Sequence, residues 1–200
     1  NFPQPTFGIY TAMKDDRQGP NRNNGEFHES LNTFHALIGA GLMGIDKTDE
    51  NGYNYVKMSQ NYFNKDNGWN IMMNNTCPDV ALLGGGYGRD WWYDVYPNIL
   101  YYAVCELFPG VDGAEELQRT IAEQFAKADS VLAGNYDYSY FDYSEMQGKT
   151  NWIPFQQDAA GGHGWVLLSA YYKWGDEKYL EHAKSAIAAL DSQKESRFYE

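Results

Sequence analysis

Apolar residues recur at helical spacing in six stretches of this chain, and polar or glycine-rich segments separate the stretches. An apolar residue at every third or fourth position places a continuous stripe on an α-helix, which is the pattern of a helix packed against a core. The predicted helices cover 26–43, 53–63, 90–108, 114–132, 166–174 and 177–190, and the fifth is preceded by a polar, glycine-rich entry at 156–165. The sequence therefore predicts an all-α protein.

Three glycines lie in the short turns that join these helices in pairs. Gly44, Gly110 and Gly175 each follow a predicted helix and are spaced by 66 and 65 residues, a period typical of repeated supersecondary units. Helices joined by a short turn run antiparallel, so three stacked hairpins would have their short turns at one end and their long connections at the other. The first helix of each hairpin would begin at the long-connection end, where we expect the functional residues.

The segments between the hairpins differ in composition from the helices. Residues 1–25 are rich in proline, glycine, asparagine and aspartate without periodicity, and are predicted to form an extended N-terminal arm. Two further segments, 64–89 and 133–154, are predicted to be long loops. Residues 26–200 are predicted to form one domain of helical hairpins.

Charge and aromatic content narrow the class of partner. A formal net charge of -12 with no cluster of Lys and Arg argues against nucleic acid, whose phosphates bind clustered cations. No run approaches the roughly 18 apolar residues of a membrane-spanning helix, so no span is expected. Aromatic residues make up 16% of the chain and many lie outside the periodic stretches. Aromatic rings at a surface are suited to stacking on sugars, so an oligo- or polysaccharide is the expected partner.

The chain shows no motif for a cofactor or a metal. His28, Glu29 and His35 do not match the His-Glu-x-x-His zinc motif, and the glycines of 84–88 lack dinucleotide-binding spacing. Cys105 lies in an apolar helical run, so it is predicted to be a buried free thiol, with a disulfide to Cys77 as the alternative. The chain begins without Met and shows no signal peptide; such a start fits a processed N-terminus and a periplasmic or extracellular location.

Candidate catalytic residues lie at the predicted starts of the first helices. Cleavage of a glycosidic bond needs a proton donor and a second carboxylate, so acids beside aromatic residues are the feature to seek. Asp90 and Asp158 lead, and helix N-capping is their structural alternative. Asp94 is a third candidate acid, or a partner of Arg89. His163 is a candidate base or substrate donor, and its alternative is a buried imidazole with satisfied nitrogens.

Candidate substrate-binding residues lie around the same helix starts. Free N–H groups at these starts, with Arg89 beside them, would favour an anionic group such as a uronate carboxylate. The aromatic candidates would stack on sugar faces, or else pack in the core. The full predicted set is Arg89, Trp91, Trp92, Tyr93, Tyr143, Trp152, Gln156, Gln157, Trp165 and His28.

Short motifs resemble those of a known class of enzymes. Residues 170–183, Ala-Tyr-Tyr-Lys-Trp-Gly-Asp-Glu-Lys-Tyr-Leu-Glu-His-Ala, resemble the repeating hairpins of (α/α)6-toroid carbohydrate-active enzymes. Gly-His163-Gly-Trp165 is similar to the Gly-Asn-Gly-Trp helix entry of unsaturated glucuronyl hydrolases. Gly-Arg-Asp-Trp-Trp-Tyr-Asp at 88–94 resembles the aromatic, acidic rim of such enzymes.

The resemblance implies a toroid of antiparallel hairpins and a glycoside hydrolase without a cofactor. A glycine stands where the glucuronyl hydrolases have an Arg before this motif, and His163 replaces their Asn. The implied substrate is therefore broader, a uronate-containing or related glycan. Three hairpins form about half of a six-hairpin ring, which the remainder of a longer chain or a second copy would complete.

Two other functions fit the same residues. A polysaccharide lyase would use a Tyr and a His to abstract and return the proton beside a uronate, with His163 and a loop tyrosine as the pair. A glycan-binding helical protein without catalysis would need the aromatic residues but not the acids.

Overall fold

The computed structural model describes residues 27–45, 54–60, 91–138, 140–143, 146–150 and 158–192. Most of these residues are helical, as the sequence predicts. The helices are α1 (Phe27–Leu42), α2 (Tyr55–Ser59), α3 (Trp91–Leu107), α4 (Ala114–Leu132), α5 (Asp158–Trp174) and α6 (Glu177–Ser192), and the strands are β1 (Tyr140–Asp142) and β2 (Gln147–Lys149). The predicted arm over 1–25 lies outside the described residues.

Glycines in the left-handed conformation follow the first helix of each hairpin. Gly44, Gly110 and Gly175 have φ values of 70°, 84° and 70°, which glycine adopts without the steric cost of a Cβ. After α1, the Ile45 N–H donates to the Ala40 carbonyl at 2.9 Å, the long bond of a Schellman helix end. The prediction that these three glycines lie in the turns that follow helices is confirmed.

The first helices α1, α3 and α5 lie side by side and run in the same direction. Phe34 packs on Tyr101, and two turns further on a Cβ at Gly41 would lie 3.0 Å from the Leu107 Cβ. Between α3 and α5 the same ascending order holds. Val95 lies beside Gly162, and Glu106 accepts a hydrogen bond from Lys173 at 2.9 Å. Residue numbers therefore rise in the same direction along neighbouring helices, so α1, α3 and α5 are parallel.

The second helices α4 and α6 run in the opposite direction to this row. Along α4 and α5 the order is reversed, because Gln118 contacts Lys173 while Phe125 stacks on His163. Along α4 and α6 it ascends again, from the Glu123 contact with Lys178 to the Asp129 contact with Ser185 (2.6 and 3.1 Å). The α3–α4 and α5–α6 pairs are thus antiparallel hairpins of the same sense.

Large aromatic and aliphatic side chains fill the space between the two rows. Cys105 belongs to this core as a buried free thiol, and burial raises the pKa of its thiol to about 12. The prediction of a buried free thiol is confirmed for Cys105, whereas Cys77 lies outside the described residues. The largest fully buried side chains are Tyr101, Tyr102, Tyr136, Tyr143, Tyr179, Phe34, Phe125, Phe141, Ile121 and Leu167.

A short β-hairpin forms within 133–154, where the sequence predicts only a loop. β1 and β2 pair antiparallel, with Phe141 opposite Gly148. Phe141 and Tyr143 are buried, and their rings meet edge to face at 5.1 Å. The hairpin forms because these rings cover the core beside α4, which gives the segment an apolar face of its own.

Helix α5 begins earlier than its apolar pattern predicts. Regular apolar positions start at Val166, but the helix already includes the preceding glycines. The structure supplies the reason, since neighbouring helices approach too closely for larger residues. A Cβ at Gly162 would lie 2.6 Å from Val95 Cγ1, and one at Gly164 would lie 3.0 Å from Ile187 Cγ1. Tertiary packing thus overrides the low helix propensity of glycine.

Candidate functional site

The candidate site lies at the end of the row where α1, α3 and α5 begin. The prediction that these three helices begin at the same end is confirmed by their common direction. The start of α1 carries His28, the first turn of α3 carries Trp91, Trp92, Tyr93 and Asp94, and the first residue of α5 is Asp158. The described structure gives their helices and positions, and their side chains lie outside it.

Other predicted site residues lie outside the described residues altogether. They are Arg89, Asp90, Trp152, Gln156 and Gln157. Asp90 directly precedes Trp91, the first residue of α3, in the sequence. Substrate contact and catalysis by these residues stay predictions.

His163 lies one and a half turns into α5 and is completely buried. Its Nδ1 lies 2.8 Å from the Ala159 carbonyl oxygen and its Nε2 lies 3.0 Å from the Tyr143 hydroxyl. A carbonyl oxygen only accepts, so Nδ1 carries the proton and Nε2 accepts the hydrogen bond from Tyr143. Burial lowers the pKa of His163 to about 4, although the Ala159 carbonyl opposes that shift. The imidazole is therefore neutral near pH 7.

Aromatic rings enclose this imidazole. Phe125 of α4 stacks on it with ring centroids 4.2 Å apart, and Tyr136 approaches with its edge at 5.4 Å. Tyr143 is 2% exposed, and its ring stacks on that of Phe125 with centroids 5.8 Å apart. The sequence suggests His163 and Tyr143 as site residues. In the structure both are buried beneath the start of α5 and stabilise it. This is the buried, satisfied imidazole that the sequence leaves as the alternative for His163.

A buried carboxylate continues the same cluster toward α6. Asp129 is 2% exposed, and Tyr136 and Ser185 donate to its Oδ1 at 2.8 and 3.1 Å. His182 Nδ1 lies 2.8 Å from Oδ2. Burial first, and then the neighbouring Asp129 carboxylate, raise the pKa of Tyr136, so its hydroxyl stays protonated and donates. These donors join α4 to α6 and to the segment that follows α4.

Asp129 is not among the predicted site residues, although its position in the sequence carries a signal. Asp129 lies on the same face of α4 as Phe125, Ala128 and Leu132, which are all buried. An acid within an apolar stripe predicts a buried carboxylate with its own donors, because an unpaired charge there would be too costly.

The side chains of Asp129, His182 and Ser130 lie next to one another in space as an acid, a histidine and a serine do in a catalytic triad. Their geometry favours a structural role. Ser130 Oγ lies 3.5 Å from His182 Nε2 and donates instead to the Ala126 carbonyl at 3.0 Å. Ser130 also lies in the last turn of α4, where free carbonyl groups give a partial negative charge. That end of a helix opposes the oxyanion that forms during acyl transfer.

Of the predicted aromatic site residues whose side chains the structure describes, Tyr143 is buried and Trp165 lies at the surface. Its side chain is 45% exposed, and its ring meets Tyr102 edge to face at 5.9 Å. Trp165 lies seven residues after Asp158 on α5, which is close to two full turns, so both positions share a helix face about 10 Å apart along the axis. Gly161 lies between them, and a Cβ there would lie 3.7 Å from Leu190 Cδ2 of α6.

Comparison of the chain with family models, with curated proteins and with solved structures finds no match. Among the described helices, none is both long enough and apolar enough to cross a membrane. Within the same residues, no three His, Cys, Asp or Glu side chains come together in a way that would hold a metal ion. Function must therefore be inferred from the arrangement of helix starts, acids and exposed rings.

Proposed function

We propose that the protein is a glycoside hydrolase that acts on a uronate-containing or related glycan, with Asp158 and Asp90 as its acid and base. The observation that carries this proposal is the common direction of α1, α3 and α5. It brings Asp158 and the residue that follows Asp90 to one end of the row. Two acids far apart in sequence would then flank one substrate, as glycosidic cleavage requires.

The ends of the helices suit an anionic sugar. Three helix starts in one place would supply N–H groups that have no partner within their own helix, and a partial positive charge. Arg89, immediately before Asp90, would bind a uronate carboxylate in the bidentate manner of a guanidinium. His28, Gln156 and Gln157 would supply further hydrogen bonds to sugar hydroxyls.

An exposed indole on the same face as Asp158 suits a sugar ring. Trp165 presents nearly half of its surface to solvent while Tyr102 holds its edge. If a sugar stacked on Trp165, a glycosidic bond to the next sugar would lie nearer the start of α5, toward Asp158. This aromatic surface would be extended by Trp91, Trp92, Tyr93 and Trp152. Asp94 is the third candidate acid, in place of Asp158 or Asp90.

The wider architecture that we propose is half of an (α/α) toroid. What supports it is the row of parallel first helices backed by α4 and α6, each running opposite to its own first helix. A periplasmic or extracellular location fits an enzyme that degrades polysaccharides and remains a prediction.

One observation bears on the lyase alternative. The Tyr143 hydroxyl and His163 Nε2 lie 3.0 Å apart, which is the contact that a Tyr/His proton-transfer pair would need. Both side chains are buried, and a base must reach the proton that it abstracts. The hydrolase is therefore the better supported of the two enzymes.

The test is an assay with uronate-containing oligosaccharides and polymers. Hydrolysis should release new reducing ends without ultraviolet absorbance from a conjugated double bond, which a lyase would create. Asp158→Asn and Asp90→Asn should each lower kcat by at least about 100-fold, the usual scale for a lost acid or base. Undiminished turnover in both variants would remove the catalytic assignment, and binding without turnover in the wild-type protein would favour a glycan-binding protein.

A further inference from the structure

The first two turns of α5 have a sequence that forms helix poorly. Residues 158–164 read Asp-Ala-Ala-Gly-Gly-His-Gly, and glycine is less favourable inside a helix than every other residue except proline. The N–H groups of the first turn also have no acceptor within the helix itself. Asp158, the leading candidate acid, is the first residue of this segment. The position of its backbone therefore depends on contacts from outside the helix.

His163 supplies such a contact to the first turn. Its Nδ1–H donates to the carbonyl oxygen of Ala159 at 2.8 Å, and Ala159 directly follows Asp158 in the chain. The imidazole itself stacks on Phe125 of α4, with ring centroids 4.2 Å apart. The first turn of α5 is therefore joined to α4 through a ring that is completely buried.

Tyr143 fixes the same imidazole at its other nitrogen. The Tyr143 hydroxyl donates to His163 Nε2 at 3.0 Å, and Tyr143 directly follows strand β1. Two hydrogen bonds thus run in series from the β-hairpin segment to the backbone of Ala159. Rotation of the imidazole would break both of them and leave buried polar atoms without partners, which is unfavourable.

We infer that Tyr143 and His163 are positioning residues that fix the first turn of α5, and with it Asp158, in the geometry that catalysis needs. Both side chains are buried, so they act through the backbone at Ala159 and not by contact with substrate. Displacement of a reacting group by about 1 Å can lower a rate by about 100-fold. The catalytic part of this inference rests on the proposed function, whereas the stabilisation of the α5 start does not.

Two matched variants test the inference. Tyr143→Phe keeps the buried ring and removes only the hydroxyl that donates to His163. Tyr179→Phe is the control, because Tyr179 is also buried and its hydroxyl donates to Glu123 at 2.6 Å. Tyr179 lies in the first turn of α6, beside the short turn at the opposite end of the hairpin. Each variant therefore loses one tyrosine hydroxyl, at opposite ends of the same pair of helices.

Hydrogen exchange measures the stability of the α5 start without any substrate. The N–H groups of residues 162–166 bond to the first carbonyl groups of the helix, so they report on its first turns. In Tyr143→Phe they should exchange about tenfold faster relative to those of residues 170–174, the scale expected when a buried acceptor loses its donor. Tyr179→Phe should leave this ratio unchanged. An unchanged ratio in Tyr143→Phe would overturn the inference, since Tyr143 would then contribute to overall stability alone.

Kinetics on a uronate-containing oligosaccharide measure the catalytic part. Tyr143→Phe should lower kcat by about tenfold and leave KM unchanged, because a displaced Asp158 weakens an interaction made in the transition state, whereas Trp165 still binds the sugar. Tyr179→Phe should keep both constants close to wild type. An unchanged kcat in a Tyr143→Phe protein whose α5 start exchanges faster would overturn the positioning role.

Failure of the proposed function would give a different pattern. A wild-type protein without turnover, combined with faster exchange at the α5 start in Tyr143→Phe, would remove the hydrolase and confirm that Tyr143 and His163 stabilise this helix start. Normal wild-type turnover with unchanged exchange and unchanged kcat in Tyr143→Phe would overturn the inference and leave the hydrolase standing.

Discussion

His163 shows how burial decides the role of a residue that the sequence marks as reactive. Its two ring nitrogens bond to Ala159 and Tyr143, and the Phe125 ring covers its face. A neutral imidazole satisfied in this way orients its neighbours without titrating near pH 7. Its contribution to the site is to hold the β-hairpin segment against the first two turns of α5.

The pKa of His163 predicts a pH dependence of stability. Because its pKa falls from 6.5 in the unfolded chain to about 4 in the native protein, the unfolded chain binds the proton first as the pH falls. Stability should therefore fall between pH 6.5 and 4, by on the order of 3 kcal/mol from this residue, and change no further below pH 4 on its account. Urea unfolding of wild-type and His163→Gln proteins across this range should show two profiles that converge as the pH falls. Parallel profiles would mean that the imidazole is not buried in neutral form.

Asp129 offers a second prediction at this scale. Asp129→Ala leaves Tyr136, Ser185 and His182 without their acceptor inside a buried contact. Loss of one partner of a buried pair should lower the free energy of unfolding by roughly 3 to 5 kcal/mol. Chemical denaturation measures this loss. Glu181→Ala is the control, since Glu181 pairs with Lys184 at the surface of α6 and its loss should leave the unfolding midpoint almost unchanged.

At the scale of elements, the glycines of α5 have different reasons to be small. A Cβ at Gly162 would lie within 2.7 Å of Val95 and Ile99 of α3, whereas a Cβ at Gly161 would make only an ordinary contact with Leu190 at 3.7 Å. The two neighbours therefore make a matched pair of test positions within one helix.

Alanine at these two positions should change stability in opposite directions. Gly162→Ala forces Val95 and Ile99 aside, which should lower the free energy of unfolding by about 1 to 2 kcal/mol after the gain in helix propensity. Gly161→Ala keeps an ordinary contact and should raise it by up to about 1 kcal/mol. Thermal or urea unfolding compares the variants, and stabilisation by both would show that α3 and α5 are further apart than described.

Helix positions in this chain could be predicted well because their local signals agree with their packing. The predicted 114–132 matches α4, and the predicted 90–108 exceeds α3 by one residue at each end. Left-handed glycines lie in the turns after α3 and α5, at Gly110 and Gly175. The start of α5 and the β-hairpin could not be predicted in this way. Their reasons, the approach of Val95 to Gly162 and the burial of Phe141, are contacts between segments distant in sequence.

At the scale of the whole molecule, the direction of the helices could be predicted from the repeated turns, but the depth of each side chain could not. Gly-His-Gly-Trp contains one residue at the surface and one in the core, Trp165 and His163, two positions apart. Only the placement of α4 against α5 decides which is which. The common end of α1, α3 and α5 is nevertheless the feature on which the proposed function depends.

Activity should therefore depend on which end of the hairpins is altered. Asp158 begins α5 at the candidate end, whereas Asp176 lies in the short turn at the other end and accepts a hydrogen bond from the Lys178 N–H at 3.1 Å. Asp176→Asn keeps an N-capping side chain, so turnover and stability should stay close to wild type. Asp158→Asn should lose turnover at similar stability. Kinetic assays on the two variants make the comparison, and equal losses would place the chemistry elsewhere.

Gly110 and Gly175 lie at the same end of the hairpins, and this end is suited to chemical attachment. A linker or dye attached at either turn would point away from the helix starts. Protein tethered to a bead through this end would keep its opposite face turned outward, where a polymer too long to enter the bead's pores still reaches it.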